Sequence, residues 1–316
     1  MPWYLGNIHC HSSRSDGDSP ADVVARFYRD GGMQFLAITD HNLLTGPEHC
    51  GEAADGFVVL RGSEFTGKAT TVGGAFRPLH VGGIGVTAAV APVGESADPV
   101  AVLQQAVDAV RAASGIAVFN HPNWFWAYGA DEMARVRGAT AFELWNGGYP
   151  SNNLGDAEHS STERIWDDLL SAGHRLLAFA SDDCHRVASR HVTKEMPFSG
   201  WMGVWAENLT AEGIVAALRD GRCYASTGPR LRRLALTPDL VGVEVEPWDG
   251  CAFSTTVIGS GGRVLATGSG PETWYRPRGD EGYVRVRVDS AMGHRAWTQP
   301  MFADDPTTWW RAEPSA

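Results

Sequence analysis

Short apolar runs alternate with amphipathic segments along the chain up to about residue 220. The runs are rich in Val, Ile, Leu, Ala and Phe, which is typical of buried strands. Four of them span residues 35–38, 57–60, 116–119 and 176–179. The segments between and after them carry helix start and stop signals, which predict helices at 21–30, 98–113, 160–172 and 211–220. This alternation predicts an α/β fold in which helices cover a parallel sheet.

The pattern changes after Thr227. From there to the C-terminus the sequence has no helical period, and Val284, Val286 and Val288 alternate with arginines at period two. Short runs separated by Gly, Pro and Asp clusters are typical of antiparallel sheets. We therefore predict two domains, an α/β barrel of residues 1–226 and a small β-sandwich-like accessory domain of residues 227–316.

Histidines and carboxylates recur where the apolar runs end. His9 and His11 lie two positions apart after the first strand, so both rings can point to the same face. Nine groups share such positions: His9, His11, Asp16, His41, Glu64, His80, His121, Asp183 and His185. In a barrel, the carboxyl ends of the strands surround one mouth, where the active site lies. The sequence therefore predicts a barrel whose mouth is lined by these groups.

The mixture of imidazoles and carboxylates predicts a site for divalent metal ions. Such ligands suit Mn, Fe or Zn, and they disfavour calcium, which prefers oxygen ligands alone. Nine groups are too many for one tetrahedral ion, so two or three ions are predicted. Glu64 is the predicted bridging carboxylate. Any one of these histidines could equally be an ordinary polar loop residue, so the prediction depends on the recurrence of the pattern.

Two residues are candidates for protonating the leaving group. Asp182 and Asp183 compete for one ligand position, and Asp183 is preferred because Asp183-x-His185 repeats the spacing of the first motif. Asp182 is then a catalytic candidate, together with His159 and the bridging Glu64.

Two other carboxylates lie next to predicted ligands or strand ends. Asp40 directly precedes His41, and we expect it to orient a metal-bound imidazole. Glu143 could be a ligand, but we prefer a strand-end residue that is hydrogen-bonded to the site.

Candidates for substrate binding are Arg186, Arg190, His191, Trp145 and Asn146. The two arginines could bind a phosphate or a carboxylate, or they could form a solvated basic loop. Trp124 and Trp126, like Trp145, form either an apolar wall for a substrate or part of the core.

The net charge limits the classes of partner. A formal charge of −11 without a basic stripe argues against nucleic acid and anionic membranes, so a small-molecule substrate is expected. The five scattered cysteines include no Cys-x-x-Cys pair, which argues against a disulfide framework or a thiolate zinc site. No run approaches 18 apolar residues. We expect a cytoplasmic protein, and a homo-oligomer is possible.

The ordered motifs resemble those of the PHP (polymerase and histidinol phosphatase) family. They are His9-x-His11, Ser15-Asp16-Gly17, Thr39-Asp40-His41, Glu64, His80, His121-Pro122 and Ser181-Asp182-Asp183-x-His185. Segments 143–147, 224–229 and 296–300 look like the CehA/McbA-like branch of that family. The resemblance implies a distorted seven-stranded (β/α) PHP barrel with a di- or trinuclear site, and it implies that the nine strand-end groups are the ligands.

This resemblance leaves the scissile bond open. Members of the family mostly hydrolyse phosphate monoesters, whereas CehA-type members are associated with carbamate or ester hydrolysis. We expect a phosphoesterase that acts on a small phosphorylated metabolite by attack of metal-bound hydroxide. The alternatives are a carbamate, carboxylic ester or amide hydrolase with the same metal cluster, and a non-catalytic PHP binding module.

Overall fold

Helices and strands alternate through the first 226 residues of the computed structural model, which describes residues 1–51, 54–70, 74, 76–89, 93–189 and 196–313. The helices are α1 (Ala21–Asp30), α2 (Pro99–Ala112), α3 (Ala130–Arg135), α4 (Thr162–Ser171) and α5 (Ala211–Arg219). Four of these confirm the predicted helices to within two residues, and α3 is additional. In the described ranges, no helix is both long enough and apolar enough to cross a bilayer.

Side-chain caps determine where α2 and α4 begin. Asp98 accepts a hydrogen bond from the backbone amide two residues further on, which satisfies a free donor of the first turn of α2. At the start of α4, Ser161 accepts a hydrogen bond from the backbone amide of Arg164, three residues further on. In α1, Pro20 occupies the cap position, and it provides no side-chain cap.

The strands of this region belong to two sheets. In chain order they are β1 (Trp3–Asn7), β2 (Phe35–Ala37), β3 (Val58–Leu60), β4 (Gly62–Thr70), β5 (Phe76–Ile84), β6 (Glu95–Ser96), β7 (Ile116–Phe119), β8 (Ala141–Asn146), β9 (Leu177–Ser181), β10 (Trp201–Trp205) and β11 (Cys223–Ser226). Strands β1, β2 and β3 pair in parallel in one sheet, and β7, β8 and β9 pair in parallel in the other. In the first sheet, β10 and β11 continue beyond β1 as antiparallel strands.

The β4–β5 hairpin departs from the predicted parallel arrangement. Strand β5 runs antiparallel to both β4 and β7. Only residues 71–75 separate β4 from β5, which is too short a connection for the crossover that a parallel pair requires. As a result, His80 reaches the site from the middle of β5 and not from a strand end.

The two sheets meet through isolated bridges at the ends of their strands. Cys10, after β1, pairs with Cys184, after β9, and His41, after β2, pairs with Glu64 in β4. Hydrogen bonds between the described strands do not close either sheet on itself. The chain therefore has a mixed α/β fold whose ligand-bearing segments adjoin one another, and the closed seven-stranded barrel stays a prediction.

The remaining strands form antiparallel sheets. They are β12 (Leu231–Thr237), β13 (Leu240–Val245), β14 (Phe253–Gly259), β15 (Arg263–Ser269), β16 (Glu272–Tyr275), β17 (Tyr283–Ser290), β18 (Arg295–Thr298), β19 (Met301–Phe302) and β20 (Trp310–Ala312). One sheet has the order β16-β13-β12-β20, while β14, β15, β17 and β18 extend the first sheet beyond β11. Ala225 of β11 pairs with Trp297 of β18, so hydrogen bonding continues across the predicted boundary at 226/227. The division into two domains there stays a prediction.

A buried ion cluster joins α4 to β17. Arg285 is 0% exposed, and its guanidinium donates two hydrogen bonds to Asp167, at 2.9 and 2.8 Å. It also donates to Glu163 at 3.0 Å and lies 4.8 Å from the centre of the Trp166 ring. The Tyr283 hydroxyl donates a further bond to Asp167, at 2.6 Å. A charge is tolerated in the interior when it is paired and hydrogen-bonded in this way.

We expect Asp167→Ala to lower the free energy of unfolding by about 3–5 kcal/mol, because it leaves the buried guanidinium of Arg285 without its main partner. Urea-induced unfolding of the purified variant measures this loss. The matched control is Asp168→Ala on the same helix. Asp168 forms an exposed ion pair with Arg164, which contributes at most about 1 kcal/mol. Equal losses in the two variants would contradict the structural importance of the buried cluster.

Candidate metal centre

Nine groups that can bind a metal ion meet where the two sheets adjoin. They are His9, His11 and Asp16 after β1, His41 after β2, Glu64 in β4, His80 in β5, His121 after β7, and Asp183 and His185 after β9. These are the nine groups that the sequence analysis selected. The structure brings them together, and their function as ligands stays a prediction.

Glu64 lies at the centre of this cluster. Its side chain is 1% exposed, and its two oxygens face five imidazoles. The shortest N–O distances are 3.3 Å to His9, 3.5 Å to His11, 3.0 Å to His41, 3.1 Å to His80 and 3.2 Å to His121. Because Oε1 faces three of these rings and Oε2 faces the other two, Glu64 would hold a metal ion together with these imidazoles.

The ligand atoms fall into four overlapping groups, and within each group they lie within 4.8 Å of one another. The first group is His11, Asp16, His41 and His185; the second is His9, His11 and Glu64; the third is His9, His121 and Asp183; the fourth is His41, Glu64 and His80. Several residues belong to two groups. Neighbouring cations in this cluster would therefore share ligands.

The residues present fit divalent metal ions. Two buried atoms of the cluster, His11 Nδ1 and Asp183 Oδ1, have no hydrogen-bond partner in the described part of the chain. The Nε2 atoms of His9 and His11 face each other at 3.2 Å. Ions about 2.1 Å from each ligand would place neighbouring ligand atoms roughly 3.0–3.4 Å apart. The observed separations match this spacing, so the cluster can accommodate divalent ions.

The two central carboxylates are stabilised in their charged form. Burial acts against the charge of Glu64, but the neighbouring rings of His80 and His9 outweigh it and hold the pKa of Glu64 well below its ordinary value. Burial is likewise outweighed at Asp183, where His9 and His11 hold the pKa well below its ordinary value. Both groups are therefore available as anionic ligands at neutral pH.

Five of the six imidazoles divide into two kinds, although burial acts to lower the pKa of each of these five. In His9, His41 and His121, nearby carboxylates outweigh burial and raise the pKa above its ordinary value. In His11 and His80 burial prevails, and the pKa is lowered. Without metal, the cluster therefore holds protons on some rings while others present a free lone pair.

Glu143 on β8 fixes the orientation of two ligands. Its carboxylate lies 2.8 Å from His9 Nδ1 and accepts a hydrogen bond from the His121 backbone amide at 2.8 Å. The side chains of Asn146 and Ser181 also donate to it. A carboxylate on one ring nitrogen directs the other nitrogen towards a metal. This geometry agrees with the preferred prediction that Glu143 is hydrogen-bonded to the site.

Asp40 does not orient an imidazole as predicted. Its buried carboxylate accepts hydrogen bonds from the backbone amide and hydroxyl of Ser12, and from the hydroxyls of Ser15 and Thr45. These contacts stabilise the loop that carries Asp16. Asp40 therefore orders the loop that carries Asp16, and among the described residues its carboxylate has no hydrogen bond to an imidazole.

Asp18 orders a second loop, and the sequence analysis missed it. Its carboxylate accepts hydrogen bonds from the backbone amides of Val187 at 3.1 Å and Ser189 at 2.9 Å, and its own amide donates to His185 O at 2.8 Å. Burial opposes the charged form, but the hydrogen bonds from Ser189 outweigh it and lower the pKa of Asp18 to about 2. Asp18 thereby positions the segment with His185 and Arg186. In the sequence, this role could have been recognised from the second carboxylate in the short acidic turn at 15–18.

The geometry argues against Asp182 as the acid that protonates a leaving group. Its side chain is buried and accepts hydrogen bonds from the Tyr28 hydroxyl at 2.7 Å, the Asn7 amide at 2.6 Å and the Phe198 backbone at 2.7 Å. Burial raises the pKa of Asp182 to about 7, although the bonds from Phe198 and Tyr28 act to lower it. Because Tyr28 belongs to α1, Asp182 points towards that helix, whereas the adjacent Asp183 points into the cluster.

His159 also lies outside the cluster, contrary to its predicted catalytic role. Its ring stacks on Trp126, with centroids 4.0 Å apart and planes 4° apart. Its Nδ1 lies 2.9 Å from Asp156 Oδ1 in the same exposed turn. These local contacts hold the ring on Trp126, away from the nine groups.

A cavity of about 290 Å³, the mouth, adjoins the cluster. Besides seven of the nine groups, it is lined by Trp124, Gly148, Tyr149, Ser151 and Arg186. Trp124 and Arg186 were named from the sequence, whereas Tyr149 and Ser151 were missed because they lie in an irregular turn without a periodic pattern. Arg190 and His191, two predicted substrate-binding residues, lie outside the described residues.

The other two predicted substrate-binding residues are not among the described residues that line the mouth. The Trp145 ring packs on that of Trp297 at 6.1 Å, on the side of β8 that faces the core. Asn146 is buried and donates a hydrogen bond to Asp183 at 3.2 Å, so it contacts one of the nine groups. A register shift in β8 between Glu143 and Trp145 changes the direction of the side chains that follow.

We expect metal binding to release protons near pH 7, because cations must displace the protons held by His9, His41 and His121. Their raised pKa keeps these rings protonated to higher pH than free histidine, so metal affinity increases as the pH rises through this range. Calorimetric titration of the metal-free protein with MnCl₂, in two buffers of different ionisation enthalpy, measures the number of protons released. A heat of binding that is the same in both buffers would contradict this expectation.

Sequence comparison finds a partial family match. Residues 154–236 match a family described as a protein of unknown function (DUF3604). This segment runs from the turn before α4 into β12, and it includes Asp183 and His185. No curated protein matches the chain.

Structural comparison finds relatives among solved structures. A two-domain protein from Bacteroides vulgatus, described as containing a predicted PHP-like metal-dependent phosphoesterase, covers 100% of this chain and 95% of its own, at 14% identity and a TM-score of 0.50. A proposed metal-dependent phosphoesterase from Bifidobacterium adolescentis covers 61% of this chain and 92% of its own, at 16% identity and a TM-score of 0.43. An amidohydrolase from Chromobacterium violaceum with bound sulfate covers 61% and 91%, at 16% identity and a TM-score of 0.40. The first likeness shows that the chain shares the mixed α/β fold of that protein.

Proposed function

We propose that this protein is a metal-dependent hydrolase that cleaves phosphate esters of a small soluble metabolite. The observation that best supports this proposal is the buried Glu64 carboxylate, whose oxygens face five imidazoles. The full-length structural relative is described as containing a predicted PHP-like metal-dependent phosphoesterase, and that description concerns the relative. The reaction of this chain is our proposal.

In this proposal the cluster binds two or three ions of manganese, iron or zinc. Imidazoles and carboxylates together favour these metals over calcium. When bound, such ions lower the pKa of a coordinated water towards neutrality and stabilise negative charge that develops on the attacked group.

Side chains around the cluster orient the proposed ligands and provide a cation for the substrate. Glu143 fixes the ring of His9, and the Asn120 amide donates to Glu64 at 2.8 Å, so these neighbours hold ligands in one orientation. Arg186 lines the mouth and places a permanent cation where phosphoryl oxygens would lie.

Hydrolysis of a carboxylic ester, carbamate or amide by the same cluster is the second candidate. Trp124 and Tyr149 line the mouth, and they favour a substrate with an apolar part. The same metal chemistry can act on a carbonyl carbon. Arg186 favours an anionic group, which is why the phosphate ester is our first choice.

We also propose a branch of the PHP family and a cellular compartment for this protein. Segment 143–147 supports the CehA/McbA-like branch of the PHP family. The five cysteines are all free, which supports a reducing compartment such as the cytoplasm.

We expect the manganese-loaded protein to hydrolyse p-nitrophenyl phosphate, and we expect Glu64→Gln to lower kcat/KM at least about 100-fold, because the variant loses the central charged ligand. Initial rates and the bound metal content of both proteins provide the measurement. Glu48→Gln is the control, since Glu48 is exposed and paired with Arg61, and it should keep both properties.

The other outcomes of this experiment separate the candidates. Turnover of p-nitrophenyl acetate alone would favour ester hydrolysis. Full activity in Glu64→Gln would contradict the assignment of the site. No turnover and no bound metal would favour the non-catalytic binding module.

We expect Arg186→Gln to raise KM for p-nitrophenyl phosphate about tenfold with a smaller change in kcat, because a contact with a phosphoryl oxygen already exists in the bound substrate. The KM for p-nitrophenyl acetate should stay constant, since that ester has no anionic group. Steady-state kinetics on both esters provide the measurement. The control is Arg164→Gln, an exposed residue of α4. Equal effects of Arg186→Gln on both esters would contradict phosphate binding by this residue.

A further inference from the structure

We propose that Asn146 is a positioning residue that joins Asp183 of the cluster to the mouth turn, the segment of residues 147–151 that borders the cavity. In this role Asn146 acts through its neighbours and does not contact the substrate. The inference rests on the proposed function, because it takes Asp183 as a metal ligand and the mouth as the place where the substrate binds.

One nitrogen of the Asn146 side chain donates to two carboxylates. Its Nδ2 donates a hydrogen bond to Glu143 Oε2 at 2.8 Å and another to Asp183 Oδ2 at 3.2 Å. A primary amide nitrogen carries two hydrogens, so it serves both carboxylates at once without adding a charge. Glu143 also lies 2.8 Å from His9 Nδ1. Asn146 therefore restrains Asp183 relative to the carboxylate that orients His9.

The oxygen of the same side chain holds the mouth turn. Oδ1 of Asn146 accepts a hydrogen bond from the backbone amide of Gly148 at 2.8 Å, and the Ser151 hydroxyl lies 2.7 Å from it. Both residues line the mouth. A backbone amide is always a donor, so its position identifies the oxygen end of the side chain, and the two carboxylates require the nitrogen at the other end. The opposite ends of Asn146 therefore contact the cluster and the mouth turn.

The register shift in β8 brings Asn146 to the side of the strand that carries Glu143. Residues three apart on a regular strand point to opposite faces. Glu143 pairs with Phe179 and Trp145 pairs with Ala180, so β8 has one extra residue between these pairs. The extra residue reverses the alternation, and Asn146 can then reach the Glu143 carboxylate at 2.8 Å.

The mouth turn approaches Asp183 closely. A Cβ added at Gly148 would lie 2.9 Å from Asn146 Oδ1 and 3.0 Å from Asp183 Oδ2, so a side chain at this position would press on both. Asn146 is 1% exposed, and water therefore has little access to replace its hydrogen bonds. The separation between the mouth turn and Asp183 thus depends on the contacts of Asn146.

The far end of the mouth turn is fixed separately. The Asn123 side chain donates to Asn152 O at 3.1 Å, and the Asn152 side chain donates to Asn123 O at 3.1 Å. These reciprocal bonds restrain the residue that follows the mouth turn relative to the turn after β7. They involve only Asn123 and Asn152, so Asn146 supplies the link between the near end of the mouth turn and the cluster.

Two substitutions separate the contacts of the two ends of Asn146. Asn146→Asp keeps the oxygen that faces the mouth turn but places a second oxygen against Asp183. This oxygen removes a hydrogen-bond donor and adds electrostatic repulsion. Ser151→Ala instead removes a contact of the mouth turn and leaves both bonds from Nδ2 to the carboxylates in place.

The test measures the average Mn²⁺ dissociation constant, by EPR detection of free Mn²⁺, and the KM for p-nitrophenyl phosphate at saturating Mn²⁺. Asn146→Asp should weaken Mn²⁺ binding at least about tenfold, because it removes a group that orients a ligand. Ser151→Ala should keep the Mn²⁺ dissociation constant within about twofold of the wild type and raise KM about fivefold. Asn146→Ala, which adds no charge, should show both effects, and it decides the test if Asn146→Asp does not fold.

Asn153→Ala is the matched control. The Asn153 side chain forms two hydrogen bonds with the backbone of Asn146, at 3.1 and 2.8 Å, so its removal weakens the same region without removing a contact to Asp183. This variant should keep the Mn²⁺ dissociation constant within about threefold of the wild type. Thermal melting of each variant measures the accompanying loss of stability.

The outcomes distinguish this inference from the proposed function. Unchanged Mn²⁺ binding in both Asn146 variants would overturn the inference even if the wild type hydrolyses p-nitrophenyl phosphate. A loss of Mn²⁺ affinity in Asn153→Ala or Ser151→Ala as large as in the Asn146 variants would also overturn it, since local stability would then explain the effect. A wild type that neither binds Mn²⁺ nor hydrolyses the ester would overturn the proposed function and this inference with it.

Discussion

The negative charge of Glu64 and Asp183 is the constraint on which the rest of the structure depends. An ionised carboxylate in the protein interior is costly unless positive groups surround it. Here five imidazoles face Glu64, and His9 and His11 also face Asp183 at 3.1 and 3.2 Å. Protons on these rings can balance the charge without metal, and cations can balance it when metal is bound. Each segment that carries one of the nine groups contributes a charged or protonatable side chain to this balance. The strands therefore converge for electrostatic as well as topological reasons.

A second set of carboxylates holds these segments in place without adding to the cluster's own charge balance. Asp18, Asp40 and Asp182 accept hydrogen bonds mainly from backbone amides, side-chain amides and hydroxyl groups. Such donors are neutral. The protonated imidazoles of the site therefore remain available to balance the charge of Glu64 and Asp183. Each of these carboxylates links a ligand-bearing loop to another part of the chain. The loops are therefore ordered by contacts that do not require a metal ion.

The convergence of the nine groups could be predicted from the sequence because strand ends and two-residue spacings are local properties. The direction of a side chain after its strand has ended is not local. Asp182 and Asp183 are neighbours, yet Asp182 contacts Tyr28 on α1 while Asp183 lies in the cluster. The reversed direction of β5 depends on its short connection to β4. The place of Tyr149 at the mouth depends on contacts between two distant turns, which no periodic pattern encodes.

The C-terminal strands contact β8 and β9, and none of their described residues lines the mouth. Trp297 of β18 packs on Trp145 of β8, and the Gln299 side chain forms two hydrogen bonds, at 2.9 and 2.8 Å, with the backbone of Ala178 in β9. Arg285 joins the same region to α4. The described residues that line the mouth all lie between positions 16 and 186. Because β8 carries Glu143 and β9 leads into the segment with Asp183, the C-terminal strands stabilise the strands that support the cluster.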